Sequence, residues 1–109
     1  MTPAEVTAAV TVGERVSREL DEDYVGLWVI PWHLHRELPN ASADAVREIA
    51  ESILRVLVAA DVALGDLDGE TGVFLPWGVP DPVGVAIAAW ALLGREPNIG
   101  EVAWLARTS

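Results

Sequence analysis

The sequence contains no cysteine and no lysine, and its seven basic residues are all arginines, against 17 aspartates and glutamates. Without cysteine the chain can form no disulfide, thiolate zinc site or iron–sulfur cluster, and it has no cysteine nucleophile. The formal net charge of −10 creates a field that repels phosphate backbones. Direct nucleic-acid binding is therefore not expected.

Long apolar runs and export signals are also missing. The longest uncharged stretch, residues 82–94, is shorter than the roughly 20 apolar residues that span a bilayer. A secretory signal begins with a basic segment, whereas residues 1–10 contain an acid and no base. We therefore expect a cytoplasmic protein that does not bind membranes.

Recognisable catalytic motifs are absent as well. The chain has no G-x-S-x-G, Walker, G-x-G-x-x-G or H-E-x-x-H pattern. Paired carboxylates occur in any acidic domain, so their abundance does not indicate a glycosidase. We expect no enzymatic activity and no cofactor.

Two patterns invite a metal-binding interpretation, and neither completes a set of ligands. His33 and His35 would share a face on a strand but diverge on a helix, and a catalytic zinc needs a third protein ligand. The run at residues 66–70 resembles part of an EF-hand loop, yet aligning Gly69 with the invariant glycine puts leucines at the first and twelfth positions. We therefore expect no bound metal. The two histidines are expected to lie at a partly exposed edge beside Trp32.

What the chain does contain favours one folded domain over residues 1–109, since 51% of its residues are hydrophobic. Thr2, Pro3 and Glu5 form a capping-box pattern, so a helix should begin at Pro3, with Gly13 as a point where it could divide. Apolar residues at steps of three and four predict a second helix over residues 43–60. Its stripe is expected to pack against a sheet and comprises Val46, Ile49, Ile53 and Leu57.

Further along the chain, Asp81 and Gly94 supply caps for a helix over Pro82–Leu93. Apolar segments at residues 62–67 and 73–77 flank a D-G-E-T-G turn and predict a hairpin, to which residues 101–107 could add a third strand. Residues 24–38 are ambiguous, and we favour a mostly helical segment with a break before Pro31 and a short helix over residues 31–38. The predicted class is α+β, with three or four helices packed on a roughly three-stranded antiparallel sheet.

Tryptophan and charge indicate where a partner could bind. Of the five tryptophans, Trp90 and Trp104 are expected in the core, whereas Trp77, between a proline and a glycine, is as compatible with partial exposure as with burial. Residues 56–94 carry acids but no arginine. We predict a partner-binding surface on the hairpin side, and the alternative is a merely solvated acidic face. The predicted surface comprises Asp66, Asp68, Glu70 and Trp77.

The sequence also resembles a group of small actinobacterial proteins. The shared features are the segment YVGLWVIPW, an amphipathic helix, the segment LGDLDGETGVFLPW, and a W-x-x-L-G-x-x-P-x-x-G-x-x-x-W ending. Some similar proteins look like immunity proteins, encoded beside toxins. The resemblance implies a non-enzymatic inhibitor that binds a basic protein. The alternatives are a small-molecule-binding or enzyme-accessory domain that uses the Trp77 end of the hairpin, and a structural homodimer with an exposed apolar face.

Overall fold

The computed structural model describes residues 1–108 and confirms the α+β class; Ser109, which the predicted domain includes, lies outside the described residues. Within that range four helices accompany a four-stranded antiparallel sheet. The sheet therefore has one strand more than we predicted. The elements are α1 (Pro3–Leu20), β1 (Val25–Gly26), α2 (Val29–Glu37), α3 (Ala43–Ala59), β2 (Val62–Leu67), β3 (Phe74–Pro76), α4 (Pro82–Leu93) and β4 (Trp104–Arg107).

The helix ends follow the predicted capping residues. Thr2 Oγ1 accepts a hydrogen bond from the Glu5 amide at 3.1 Å, and Glu5 Oε1 accepts one from the Thr2 amide at 2.8 Å. The capping box is thus complete, and α1 continues through Gly13 without dividing. The Asp81 carboxylate caps α4 by accepting from the Gly84 amide at 3.0 Å, which holds the pKa of Asp81 below its usual range. Gly94 ends α4 in the left-handed conformation with φ 69°.

The prediction for residues 24–38 was wrong in two respects. Val25 and Gly26 form a short strand, and α2 begins at Val29, two residues earlier than expected. Pro31 is the third residue of α2, where a backbone amide would have no partner inside the helix, so its missing N–H breaks no hydrogen bond. The helix therefore tolerates the proline without a break.

The sheet order is β1–β4–β2–β3, so the last strand of the chain lies between the first two. Val25 pairs with Leu105, and Leu105 pairs with Leu64. These three buried side chains share one face of the sheet, and that face meets the helices. At its end, Arg107 donates to Asp21 Oδ1 at 2.7 Å and to Ser17 at 2.7 Å, which fastens β4 to α1.

The opposite face of the sheet contains a row in which a tryptophan stands between two glycines. Trp104 pairs with Gly26 on one side and Gly65 on the other. A Cβ at Gly65 would lie 2.2 Å from the carbonyl oxygen of Leu75, so β3 approaches β2 too closely for any side chain there. Only glycine fits this central position.

The apolar stripe of α3 is buried as predicted, but the helix packs against other helices as well as against the sheet. The helix contacts α1, α2, α4 and β2. Cγ2 of Ile53 lies 4.0 Å from the position that a Cβ at Gly13 would take, so this residue packs against α1. Helix α3 therefore occupies the centre of the helical layer.

Truncating Ile53 tests this packing. Ile53 is 3% exposed, and Ile53→Ala should lower the free energy of unfolding by about 2–5 kcal/mol through lost contacts and a residual cavity. Val56 lies one turn further along α3 and is 69% exposed, so Val56→Ala should change it by less than about 0.5 kcal/mol. Urea unfolding measures both values, and a loss at Ile53 no larger than that at Val56 would refute the assigned core.

Candidate functional site

The predicted hairpin surface divides into two local clusters. The Trp77 indole N–H donates to Asp66 Oδ2 at 3.1 Å, and the Trp77 ring is partly buried against the core. The polar atom of the proposed anchor is therefore already satisfied within the chain. Asp66 accepts the hydrogen bond of this ring and remains exposed to solvent.

The other two predicted residues lie at the hairpin turn. Asp68 Oδ1 accepts hydrogen bonds from the backbone amides of Thr71 and Glu70, each at 2.9 Å. These amides lower the pKa of the Asp68 carboxyl, so this acid stabilises the turn. Glu70 projects from the same turn and is exposed. Binding of a partner by these four residues stays a prediction.

A different surface gathers most of the aromatic side chains. Trp90 is buried as predicted, but Trp104 is only partly buried and lines an open cleft with a volume of about 520 Å³. The expected core position of Trp104 was therefore wrong, because its side chain stands on the sheet face away from the helices. The cleft also contains Tyr24, Trp28 and Trp32.

Glycine forms the floor of this cleft. A Cβ at Gly26 would lie 2.5 Å from Cδ1 of Trp28 and 3.5 Å from Cζ3 of Trp104. Both indoles therefore lie against the backbone of β1, and the position of Trp28 leaves no room for a side chain at Gly26, whereas the distance to Trp104 is an ordinary contact. On the other side, the Tyr24 and Phe74 rings pack with their centroids 5.7 Å apart, which connects the cleft with β3 of the hairpin.

Three carboxylates accompany these rings, and we call the whole site the acidic–aromatic cleft. Glu19 comes from the last turn of α1, while Glu22 and Asp23 precede β1. Among the described residues that line the cleft there is no arginine. Four arginines form ion pairs outside it: Arg47, Arg55, Arg95 and Arg107. Among the described residues, none of the three carboxylates forms an ion pair with an arginine, although Glu19 lies 3.1 Å from His33 Nε2, which also lines the cleft.

The two histidines of α2 lie in different environments. His33 is 6% exposed, contrary to the expected exposed edge, and its Nε2 lies 3.1 Å from Glu19 Oε1. Its ring packs edge-on against Trp32, with centroids 5.1 Å apart. His35 is partly exposed and hydrogen-bonds Glu96. Each histidine pairs with a carboxylate from another segment, so the two fix α2 against α1 and the loop after α4.

The loop after α4 borders the cleft through Ile99, which is 73% exposed. Arg95 donates two hydrogen bonds to the Glu101 carboxylate, at 2.6 and 2.9 Å, and the Asn98 amide donates a third at 2.8 Å. The Arg95 guanidinium and this amide lower the pKa of Glu101 from its ordinary value of 4.5 to about 2. Glu101 therefore closes the loop that carries Ile99.

Sequence reasoning missed the acidic–aromatic cleft, although a signal for part of it was present. Tyr24, Trp28 and Trp32 recur at intervals of four residues directly after an acidic cluster, a spacing that puts side chains on one side of a helix. Trp104 joins them only through the pairing of β4 with β1. No sequence pattern within either segment predicts that contact, because the two strands are distant along the chain.

A second concave surface lies between α1 and α3 and is apolar. It has a volume of about 360 Å³ and includes Val10, Gly13 and Val56. Val10 and Val56 are both exposed. This groove is the kind of exposed apolar face that the homodimer hypothesis requires.

Neither a metal centre nor a membrane span is found in the part of the chain that the structure describes. Histidines and carboxylates within residues 1–108 form no group of three that could hold a metal ion. None of the helices there combines the length and the apolar character needed to cross a bilayer.

Comparison with known proteins finds no matching family model, no similar curated protein and no similar solved structure.

Replacing Glu101 tests the closure of the loop. Because the folded state holds the pKa of this carboxyl near 2, its stabilising effect should be complete above pH 4.5 and should disappear as the pH falls towards 2. Glu101→Gln should therefore lower the melting temperature at pH 7, and the difference from the wild type should vanish near pH 2. Glu70→Gln serves as a control at an exposed carboxyl. A Glu101 effect that is independent of pH would contradict this role.

Proposed function

We propose that this protein is a non-enzymatic binding module for a basic protein and that it binds its partner through the acidic–aromatic cleft. The observation that carries this proposal is that four aromatic side chains and three carboxylates line one open cleft. Aromatic side chains provide large contact areas with little loss of conformational entropy, and they are enriched among residues that dominate binding energy. Carboxylates around them attract a positively charged partner.

The overall charge supports the same kind of partner. A net charge of −10 accelerates association with a basic protein through long-range attraction and disfavours acidic competitors. The hairpin contributes further acids, and the contact of Phe74 with Tyr24 places its second strand beside the cleft. The predicted surface at Asp66, Asp68, Glu70 and Trp77 would extend this binding face.

The biological role that fits these features is inhibition of immunity or antitoxin type inside the cytoplasm. Toxins that attack nucleic acids need basic surfaces to hold phosphates. An acidic protein that covers such a surface competes directly with the nucleic acid. The sequence resemblance to immunity-like proteins points to the same role.

Binding of a defined basic peptide tests the proposal. The probe is a dodecapeptide of alternating arginine and lysine, and tryptophan fluorescence at low salt reports its Kd. Neutralising the cleft with Glu19→Gln, Glu22→Gln and Asp23→Asn should weaken binding by about tenfold or more, because close carboxylates are lost together.

The matched control neutralises the same number of acids elsewhere. Glu14→Gln, Asp44→Asn and Glu48→Gln change the net charge equally but lie outside the cleft, so the Kd should rise less than about threefold. A third variant, Asp66→Asn with Asp68→Asn and Glu70→Gln, measures the contribution of the hairpin. Equal weakening by the cleft and control variants, or no binding by the wild type, would refute the proposed function.

A further inference from the structure

We propose that the acidic–aromatic cleft selects arginine side chains over lysine side chains, an inference that rests on the proposed function and specifies its ligand. The ligand class is the guanidinium group of an exposed arginine on the partner protein. Three observations support this choice: the aromatic walls, the carboxylates that form no ion pair with an arginine of the described residues, and an arginine of the chain itself that makes a cation–π contact with one of the tryptophans.

The aromatic walls favour a planar cation. Trp28 and Trp104 lie against the glycine floor, and Trp32, which is 49% exposed, stands at the side of the cleft. A guanidinium is flat, weakly hydrated and able to stack on an aromatic face. A lysine ammonium is compact and strongly hydrated, so it loses more hydration on entering an aromatic site.

The carboxylates favour a cation with several donors. Glu19, Glu22 and Asp23 border the same space, and a guanidinium offers five N–H donors that can form paired hydrogen bonds with a carboxylate. A guanidinium can stack on a ring and donate at its edges simultaneously. A quaternary ammonium can occupy an aromatic site but has no N–H, so it would form no hydrogen bond with these carboxylates.

Trp32 already makes a cation–π contact with one guanidinium outside the cleft. Cζ of Arg36 lies 4.9 Å from the centroid of the Trp32 ring. Trp32 borders both the cleft and a neighbouring cavity, whereas Arg36 borders only the neighbouring cavity. The chain thus shows the proposed type of contact on a ring that also lines the cleft.

The experiment compares peptides that differ only in the cation. Each has the sequence Gly-Ser-X-Gly-X-Ser-Gly, with both X residues being arginine, lysine, trimethyllysine or citrulline, and titration calorimetry gives the Kd for the full chain. We expect arginine to bind about tenfold more tightly than lysine and more tightly than trimethyllysine, and citrulline, which is uncharged, to show no measurable binding.

Two variants locate the selectivity. Trp32→Leu should bring the arginine and lysine affinities within about twofold, because the exposed stacking surface is removed. Leu92→Ala removes an apolar side chain of α4 that is 89% exposed and lies outside the cleft, so it should leave the arginine-to-lysine ratio unchanged. Circular dichroism verifies that both variants are folded, and Glu22→Gln, at an exposed acid, offers a second test by weakening arginine more than trimethyllysine.

The possible outcomes separate this inference from the function on which it rests. Equal binding of arginine and lysine peptides, tighter binding of trimethyllysine, or an unchanged ratio in Trp32→Leu would refute arginine selectivity while leaving a basic partner in place. Failure of every cationic peptide to bind, including the arginine–lysine dodecapeptide, would refute both proposals.

Discussion

The cleft depends on the missing side chain at Gly26. Trp28, immediately before α2, lies so close to this residue that a Cβ would come within 2.5 Å of its indole, and Trp104, at the start of β4, lies in van der Waals range on the other side. One glycine therefore brings together the start of a helix, an edge strand and an inner strand. The two rings contact this backbone and line the cleft together with the carboxylates of Glu19, Glu22 and Asp23. The proposed recognition of a basic partner follows from this arrangement.

Elements with strong local signals could be predicted from the sequence. The capping box at Thr2 and Glu5, the stripe of α3 and the caps of α4 each act over a few residues, so the signal and the structure lie in the same segment. The hairpin also followed from its turn composition. Strand β1 could not be predicted because two residues have no period of their own and are extended by pairing with β4, which is distant in sequence. Tertiary pairing overrode the helical spacing of that segment.

The candidate site was harder to predict from the sequence for the same reason, because it depends on contacts between residues that are distant along the chain. The acids and Trp77 of the hairpin were conspicuous, yet the structure uses Asp68 to stabilise a turn and Asp66 to bond the indole. His33 was expected at a partly exposed edge, but it is buried and contacts Glu19 on α1. Side chains that gather from three separate segments become a site only once the register of β1, β4 and β2 is known.

Gly26→Ala tests whether the cleft needs glycine at position 26 in order to bind a basic partner. The added Cβ would lie 2.5 Å from Trp28 Cδ1, so the indole must move although the fold can persist. Gly69→Ala is the control, since nothing lies within 4 Å of the added atom. We expect Gly26→Ala to bind the arginine–lysine dodecapeptide about tenfold more weakly, with an unfolding free energy reduced by about 1–3 kcal/mol, and Gly69→Ala to bind like the wild type. A folded Gly26→Ala protein with an unchanged Kd for the peptide would contradict the role of Gly26 in forming the binding cleft.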